Sequence, residues 1–381
     1  MWVGRGASGY GAGMGAGRYG HRAGLGIDRG KRTGRDHRHR FPAVWGGQGL
    51  PTAVTAIRGG ALRQTQATTL ADLAASTPNV QISTAYTNAK IAVRGIRQRA
   101  ATNSMEARMQ YQTQHVELDG VTIAYLQTGT EKPETLVVSH SLFFNKRMFE
   151  AQLSSLSEHF NVIAYDHRGH GESSTALDNR YDMDAHYNDA AAFIEALGVG
   201  PVHFAGNSMG GFVALRLAAR RPELVRTVIP MCSSGTAQSN PDELSPILDQ
   251  LKTHGGRPVG DLHKTFFFGE YSLTNEASVA KLAPWIDSLY NLTPFAATLA
   301  AGVVYRTGIN SELRHSPTPV LAIAGSQDVV YPAPHSEAVA EAAPKGRFVV
   351  IDRAGHSVAL EQPDAVNAAI RAFIVEHAAR S

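Results

Sequence analysis

The sequence predicts an α/β fold in which a mostly parallel eight-stranded sheet carries helices on both faces and a helical lid is inserted late in the chain. Three observations predict it. From about Tyr111 onward, short apolar runs rich in Val and Ile alternate with stretches of helical period, which is the pattern of repeated strand–helix–strand units. Gly and Pro punctuate the joins, as after the helical run that ends at Pro222. The rhythm fails once, across about 235–317, where helical runs replace strands. A long insertion between two strands of such a sheet suits a cover over a site.

The chain ahead of Tyr111 reads differently. The whole sequence has 381 residues, 43% of them hydrophobic, and a formal net charge of +3. Residues 1–108 hold 16 Lys and Arg against 4 Asp and Glu, so the remainder is acidic, with 20 against 29. The basic balance therefore belongs to the front end. Its first 48 residues are Gly-rich with scattered Arg and His, as in GYGAGMGAGRYG, and show no period; disorder is expected there. Arg-Gly composition without regular aromatic spacing reads as a solvated segment rather than a nucleic-acid site. Residues 1–108 are expected to be a tail and 109–381 the working domain.

Within the tail, Leu70, Leu73 and Ala74 suit a short helix closed by Pro78, and Val80, Ile82, Ile91 and Val93 alternate as strands. The stretch TLADLAASTPNVQIS followed by KIAVRGI resembles part of the plug domain of TonB-dependent outer-membrane receptors. No series of alternating barrel strands follows it, so receptor function is not implied. A receptor-type binding protein is the non-enzyme alternative.

In the main domain, candidate strands are 115–118, 122–127, 135–139, 161–165, 202–205, 227–231, 320–324 and 347–351. Helical periods lie between them, clearest at 210–221 and at 184–197, the latter closed by Gly198. Cys232, the single cysteine, falls in the apolar run that starts at Thr227 and is expected to be buried. One cysteine forms no internal disulfide, consistent with a reducing compartment. The longest apolar stretch, 292–305, is interrupted by Thr293, Pro294 and Gly302 and is too short for a membrane helix. The first residues do not resemble a secretory signal, and a cytoplasmic protein is expected.

The chemistry concentrates in VHFAGNSMGG, a strand that enters Gly206-Asn207-Ser208-Met209-Gly210 and leaves into a helix. A serine on so sharp a turn sits in strained backbone with its hydroxyl exposed, and its flanks, Gly206 and Gly210, must lack side chains. The alternative is that Ser208 merely caps the helix. Serine attacks only when a neighbouring base takes its proton, and the base needs a third group to hold it. His356, in the turn after the strand FVVID, and Asp328, in the turn after VLAIAG, fit those roles at carboxyl ends of strands. Charge developing on the attacked carbonyl oxygen needs backbone donors. One is the amide of Met209, at the positive end of its helix.

These segments, with SHSLFFNKRMFEAQLSSLSEHFNVIAYDHRGHGESS, GNSMGGFVALRLAARRPELVRTVI, AGSQDVVYP and AGHSVALEQP, together resemble the α/β-hydrolase superfamily across about 111–381. The chain order Ser, Asp, His is the order of that superfamily. The resemblance implies that the second oxyanion donor is the amide of Leu142, with Ser141 the near alternative. The HSL loop and DHRGHGESS look most like 3-oxoadipate enol-lactonases, whereas GNSMGG is similar to meta-cleavage C–C bond hydrolases. Those hydrolases carry a Trp after the catalytic His, where Ser357 stands here. In DHRGHGESS, residues Asp166, His167 and Arg168 are expected to brace loops rather than react.

Hydrolysis of carboxylic esters or small lactones through an acyl-serine is therefore the expected activity. C–C bond hydrolysis or cofactor-free haloperoxidase or perhydrolase chemistry is the alternative. Serine at the turn argues against dehalogenases and epoxide hydrolases, whose attack requires a carboxylate there. No spacing of His or Cys suggests a metal and no phosphate-cradling loop is present, so no cofactor is expected. The partner is a small ester or lactone, with no nucleic acid and no membrane; monomer and homo-oligomer stay open. Phe266, Phe267 and Trp285 are the candidate pocket residues, with Phe268, Tyr290 and Phe295 beside them, and His263, Lys264 or Arg257 are the candidates to meet a substrate carboxylate.

Overall fold

In a computed structural model of the chain, the described residues are 80–85, 88–93 and 111–378. The expected helix near Leu70 lies outside them. The chain divides into two units, residues 1–96 and 97–381. In the first, β1 (Val80–Ala85) and β2 (Asn88–Val93) pair antiparallel, Val80 opposite Val93 and Ala85 opposite Asn88.

The second unit holds the eight-stranded sheet. Its strands are β3 (Gln114–Leu118), β4 (Val121–Thr128), β5 (Thr135–Ser139), β6 (Asn161–Tyr165), β7 (Val202–Asn207), β8 (Val225–Met231), β9 (Val320–Gly325) and β10 (Gly346–Ile351). All eight coincide with the candidate strands of the sequence, to within two residues at either end. Their order across the sheet is β10-β9-β8-β7-β5-β6-β4-β3. Only β3 and β4 run antiparallel to their neighbours; the six strands from β10 to β6 are parallel. Parallel strands need crossovers, and here helices supply them.

Between and after the strands lie α1 (Glu150–Leu156), α2 (Met183–Leu197), α3 (Met209–Arg220), the lid helices α4 (Ser245–His254), α5 (Gly260–Phe267), α6 (Glu270–Thr274), α7 (Glu276–Tyr290), α8 (Ala296–Val304) and α9 (Asn310–Leu313), and then α10 (Ala333–Ala342), α11 (Val358–Glu361) and α12 (Pro363–Ala378). The period-2 alternation of strand side chains separates two cores. Val137, Ile163, Phe204 and Val228 pack with Phe193 of α2 and Phe212 of α3 on one face. Leu136, Val138, Ala205 and Ile229 pack with Leu153 of α1 and Phe373 of α12 on the other.

The sheet fixes where a site can form. The strand order reverses at β5, which has β6 on one side and β7 on the other. Loops leaving the carboxyl ends of two such strands diverge to opposite faces and leave a crevice. The loop after β5 begins at His140, and Ser208 directly follows β7. Among the described residues no helix is long and apolar enough to cross a membrane.

Candidate active site

Ser208 joins β7 to α3 with φ 52 and ψ −109, a backbone conformation that L side chains rarely adopt and that persists only when the surroundings enforce it. The surroundings are glycines. A Cβ on Gly206 would lie 2.2 Å from the Gly210 carbonyl, and one on Gly210 would lie 2.1 Å from the Ser139 carbonyl oxygen. The turn can therefore close only with both positions bare. Ser208 makes no side-chain cap bond to its helix, so its hydroxyl is left for other partners, and the residue lines a cavity of about 260 Å³.

His356 lines the same cavity. Its Nδ1 donates to Asp328 Oδ2 at 3.0 Å, with both residues buried. Asp328 is held in turn: its Oδ1 accepts from the amides of Val330 at 2.8 Å and Tyr331 at 3.0 Å. The ring of His356 lies between Phe267 and Tyr331, with centroids at 5.8 and 5.6 Å. With Nδ1 committed to the carboxylate, Nε2 is the nitrogen that remains to accept a proton.

Two further residues hold this arrangement, and neither was singled out from the sequence. Asn207 Nδ2 donates to the His356 carbonyl at 2.9 Å and to Ser141 Oγ at 2.9 Å, so one amide ties the three strand-end loops together. Glu361 Oε1 accepts from the amides on either side of His356, Gly355 at 3.0 Å and Ser357 at 3.2 Å, while its Oε2 accepts from Gly269 at 2.8 Å. Burial pushes the Glu361 carboxyl above its ordinary range. The signal for each was polarity next to a chemical motif: Asn207 precedes the serine, and Glu361 follows the histidine by five residues.

Of the residues expected to donate to an oxyanion, Met209 is the first residue of α3 and Leu142 lines the cavity. The alternative, Ser141, is fully buried with its hydroxyl engaged by Asn207. Behind that loop four histidines cluster: His140, His167, His170 and His186, each 5% exposed or less. His140 Nδ1 donates to the Ser141 carbonyl at 2.7 Å and its Nε2 accepts the His167 amide at 3.0 Å. Burial holds His140 and His167 well below the ordinary histidine range, His170 at about 4 and His186 at about 3. Asp166 meets Lys146 Nζ at 2.6 Å and the amides of Lys146 and Glu172, and Arg168 grips Asp189 through two bonds of 2.5 and 2.6 Å. These are bracing contacts. Cys232 is buried just beyond β8, its thiol pushed up by burial.

The cavity wall is mainly apolar: Ile247, Leu248, Val303 and Val304 of the lid join Leu142, Phe143, Phe266 and Phe267. Trp285 is a correction, because it packs edge-on against Phe144 at 5.1 Å and does not line the cavity. Phe268 is in the core, Phe295 abuts Tyr181 at 5.2 Å and Tyr290 bonds Asp261. Helical period in the lid shows that a face is buried but not against what. Among the three cations named for a substrate carboxylate, Arg257 is exposed and neither it nor Lys264 reaches the wall. His263 does reach it, but burial holds its pKa at about 4, so it is neutral near pH 7. The charged residue that does line the cavity is Arg306.

Known proteins with this fold are numerous. Residues 134–363 match the family described as alpha/beta hydrolase fold, and residues 47–141 match the TonB-dependent Receptor Plug Domain. The last part of that second match is built into the sheet as β3, β4 and β5. A relative from Yersinia enterocolitica, named "Putative carbamate hydrolase RutD", is 24% identical over 257 residues, 65% of this chain and 90% of its own. A thermophilic esterase from Thermogutta terrifontis superposes with TM-score 0.63 at 24% identity, covering 70% of this chain and 99% of its own. The enol-lactonase from Burkholderia xenovorans LB400 superposes with TM-score 0.61 at 22% identity, covering 69% and 100%. At these identities the two structures speak to the fold. With more than half of its length matched by the family, and the sheet order and strand-end loops that go with it, this chain belongs to the alpha/beta hydrolases.

Proposed function

We propose that the protein hydrolyses carboxylic esters or lactones through an acyl intermediate on Ser208. The observation that carries this reading is the 3.0 Å bond from His356 Nδ1 to Asp328, which leaves Nε2 for the serine proton on a cavity that Ser208 also lines. His356 takes that proton as Oγ attacks the carbonyl, and the nearby carboxylate stabilises the imidazolium that forms. The amides of Met209 and Leu142 receive the negative oxygen. Collapse transfers the proton from His356 to the leaving oxygen; a water then repeats the sequence and frees Ser208.

The substrate range follows from the cavity. An apolar wall of modest volume suits a short aliphatic acyl chain or a small ring. The relatives act as their names say on carbamate, ester and enol-lactone bonds, all of which present a carbonyl to a nucleophile. Steady-state kinetics on p-nitrophenyl esters of graded length beside small lactones tests the reading, and turnover of none of them would refute it. A kcat/KM for 3-oxoadipate enol-lactone about a hundredfold above that for p-nitrophenyl butyrate, roughly 2.7 kcal/mol, marks a lactonase. The reverse ratio marks an esterase.

A further inference from the structure

Arg306 is a buried cation without a carboxylate. It is 6% exposed, it lines the cavity that holds Ser208 and His356, and it stands two residues beyond the end of α8. Its guanidinium lies over the ring of Phe212 at 4.2 Å and over that of Tyr331 at 5.3 Å. Nη1 donates to the Val303 carbonyl at 3.0 Å, whereas Nε has no hydrogen-bond partner. Among the described residues no ion pair joins Arg306 to an acidic group.

The surroundings sharpen the point. Asp328 is already committed to His356 and to two amides. Arg216 adds like charge, and it is itself paired with Asp184 at 3.1 Å; the Tyr331 hydroxyl attracts the guanidinium, but it is a neutral phenol and supplies no countercharge. On its other side Arg306 borders a hollow of about 380 Å³ that contains Asp182 and Asp184. Those carboxylates are engaged as well, Asp182 by Arg180 and Asp184 by Arg216 and Arg220. Among the described residues the other deeply buried cations each meet a carboxylate: Lys146 meets Asp166 at 2.6 Å and Glu172 at 2.7 Å, Arg168 meets Asp189 and Arg216 meets Asp184. A guanidinium keeps its proton under all ordinary conditions. Holding one in an apolar wall without an anion is costly, and stacking on two rings offsets only part of that.

We infer that Arg306 selects substrates carrying a second, ionised carboxylate, which pairs with its guanidinium while the scissile carbonyl faces Ser208. The inference deepens the hydrolase reading and rests on it. The aliphatic side chains of Leu248, Val303 and Val304 on the same wall suit a short hydrocarbon spacer between the two groups. Planar, forked recognition explains why arginine rather than lysine stands there.

The test compares p-nitrophenyl hydrogen adipate with p-nitrophenyl hexanoate, which differ by a carboxylate in place of a methyl group, in the parent and in Arg306→Gln and Arg306→Lys. The parent is expected to prefer the acidic ester at least tenfold in kcat/KM. Arg306→Gln should lose roughly 10- to 100-fold more on that ester than on hexanoate, the value of a charge-assisted hydrogen bond; Arg306→Lys should restore part of that difference, chiefly in KM. Equal losses on both esters, or a parent that prefers hexanoate, would overturn the inference and leave Arg306 as a brace for Tyr331. Calorimetric binding of adipate separates this from failure of the hydrolase reading. Binding to the parent that disappears in Arg306→Gln and returns in Arg306→Lys supports the carboxylate site even if neither ester is turned over. Absence of binding to the parent overturns it.

Discussion

Two histidines at the carboxyl edge of the same sheet meet opposite fates. His356, after β10, gives Nδ1 to a carboxylate and lines the cavity. His140, after β5, gives Nδ1 to the Ser141 carbonyl, accepts an amide at Nε2 and is sealed among three other histidines. In the proposed mechanism Asp328 faces the imidazolium that forms as His356 takes the serine proton. Burial, with His170 and His186 beside it, disfavours charge on His140, which is why its pKa falls well below the ordinary value. Position at a strand end thus gives a histidine access to chemistry, and in the proposed mechanism it is the neighbouring carboxylate and the open side that suit His356 to act as the base.

The largest effect that tests this contrast comes from His356→Ala. Hydrolysis should fall by three or more orders of magnitude, at least roughly 4 kcal/mol of transition-state stabilisation, with the melting temperature nearly unchanged. Activity within tenfold of the parent would show that another group takes the serine proton. Next in size is the response of stability to acid. The buried histidines have folded pKa values below the unfolded value of 6.5, with His170 at about 4 and His186 at about 3. Between those values and 6.5 the unfolded chain binds more protons than the native one, so stability rises with pH across that window and is lost as pH falls through it. The loss is on the order of 3 kcal/mol for each of His170 and His186 by pH 4, from about 1.4 kcal/mol per pH unit. Urea midpoints measured from pH 7 to pH 4.5 check it, and a flat profile would contradict the neutral cluster.

The smallest effect belongs to His186→Leu. Both ring nitrogens of His186 lack a well-formed hydrogen bond, so a leucine of similar size should change stability at pH 7 by less than about 1 kcal/mol and flatten the acid response. A loss above about 3 kcal/mol at pH 7 would mean that the ring makes contacts the leucine cannot replace.

Much of this was legible in the sequence because it depends on local patterning. The eight candidate strands became the eight strands, since most are short β-branched segments between breakers. Gly198 closes α2 in the left-handed conformation, with φ 63, and Asp182 caps its start by accepting from the Ala185 amide at 2.9 Å. The serine turn was readable because three glycines in six residues leave few other structures for it. What escaped depends on distant packing. Trp285 and Phe267 are aromatic residues of neighbouring lid helices; which one reaches the cavity is decided by how α5 and α7 dock, and no period encodes that. Arg306 was not among the cations the sequence put forward, because its lack of a carboxylate depends on the elements assembled around it.

The central claim is that Ser208 carries the acyl group, and covalent labelling tests it most directly. The full chain is treated with a fluorophosphonate, digested, and the modified peptide sequenced by mass spectrometry, with a parallel sample protected by excess ester. The account predicts one phosphonyl group per chain, on Ser208, appearing in step with loss of hydrolysis and prevented by the ester. Complete inactivation with the label on any other residue, or sustained hydrolysis by a chain fully labelled at Ser208, would contradict it.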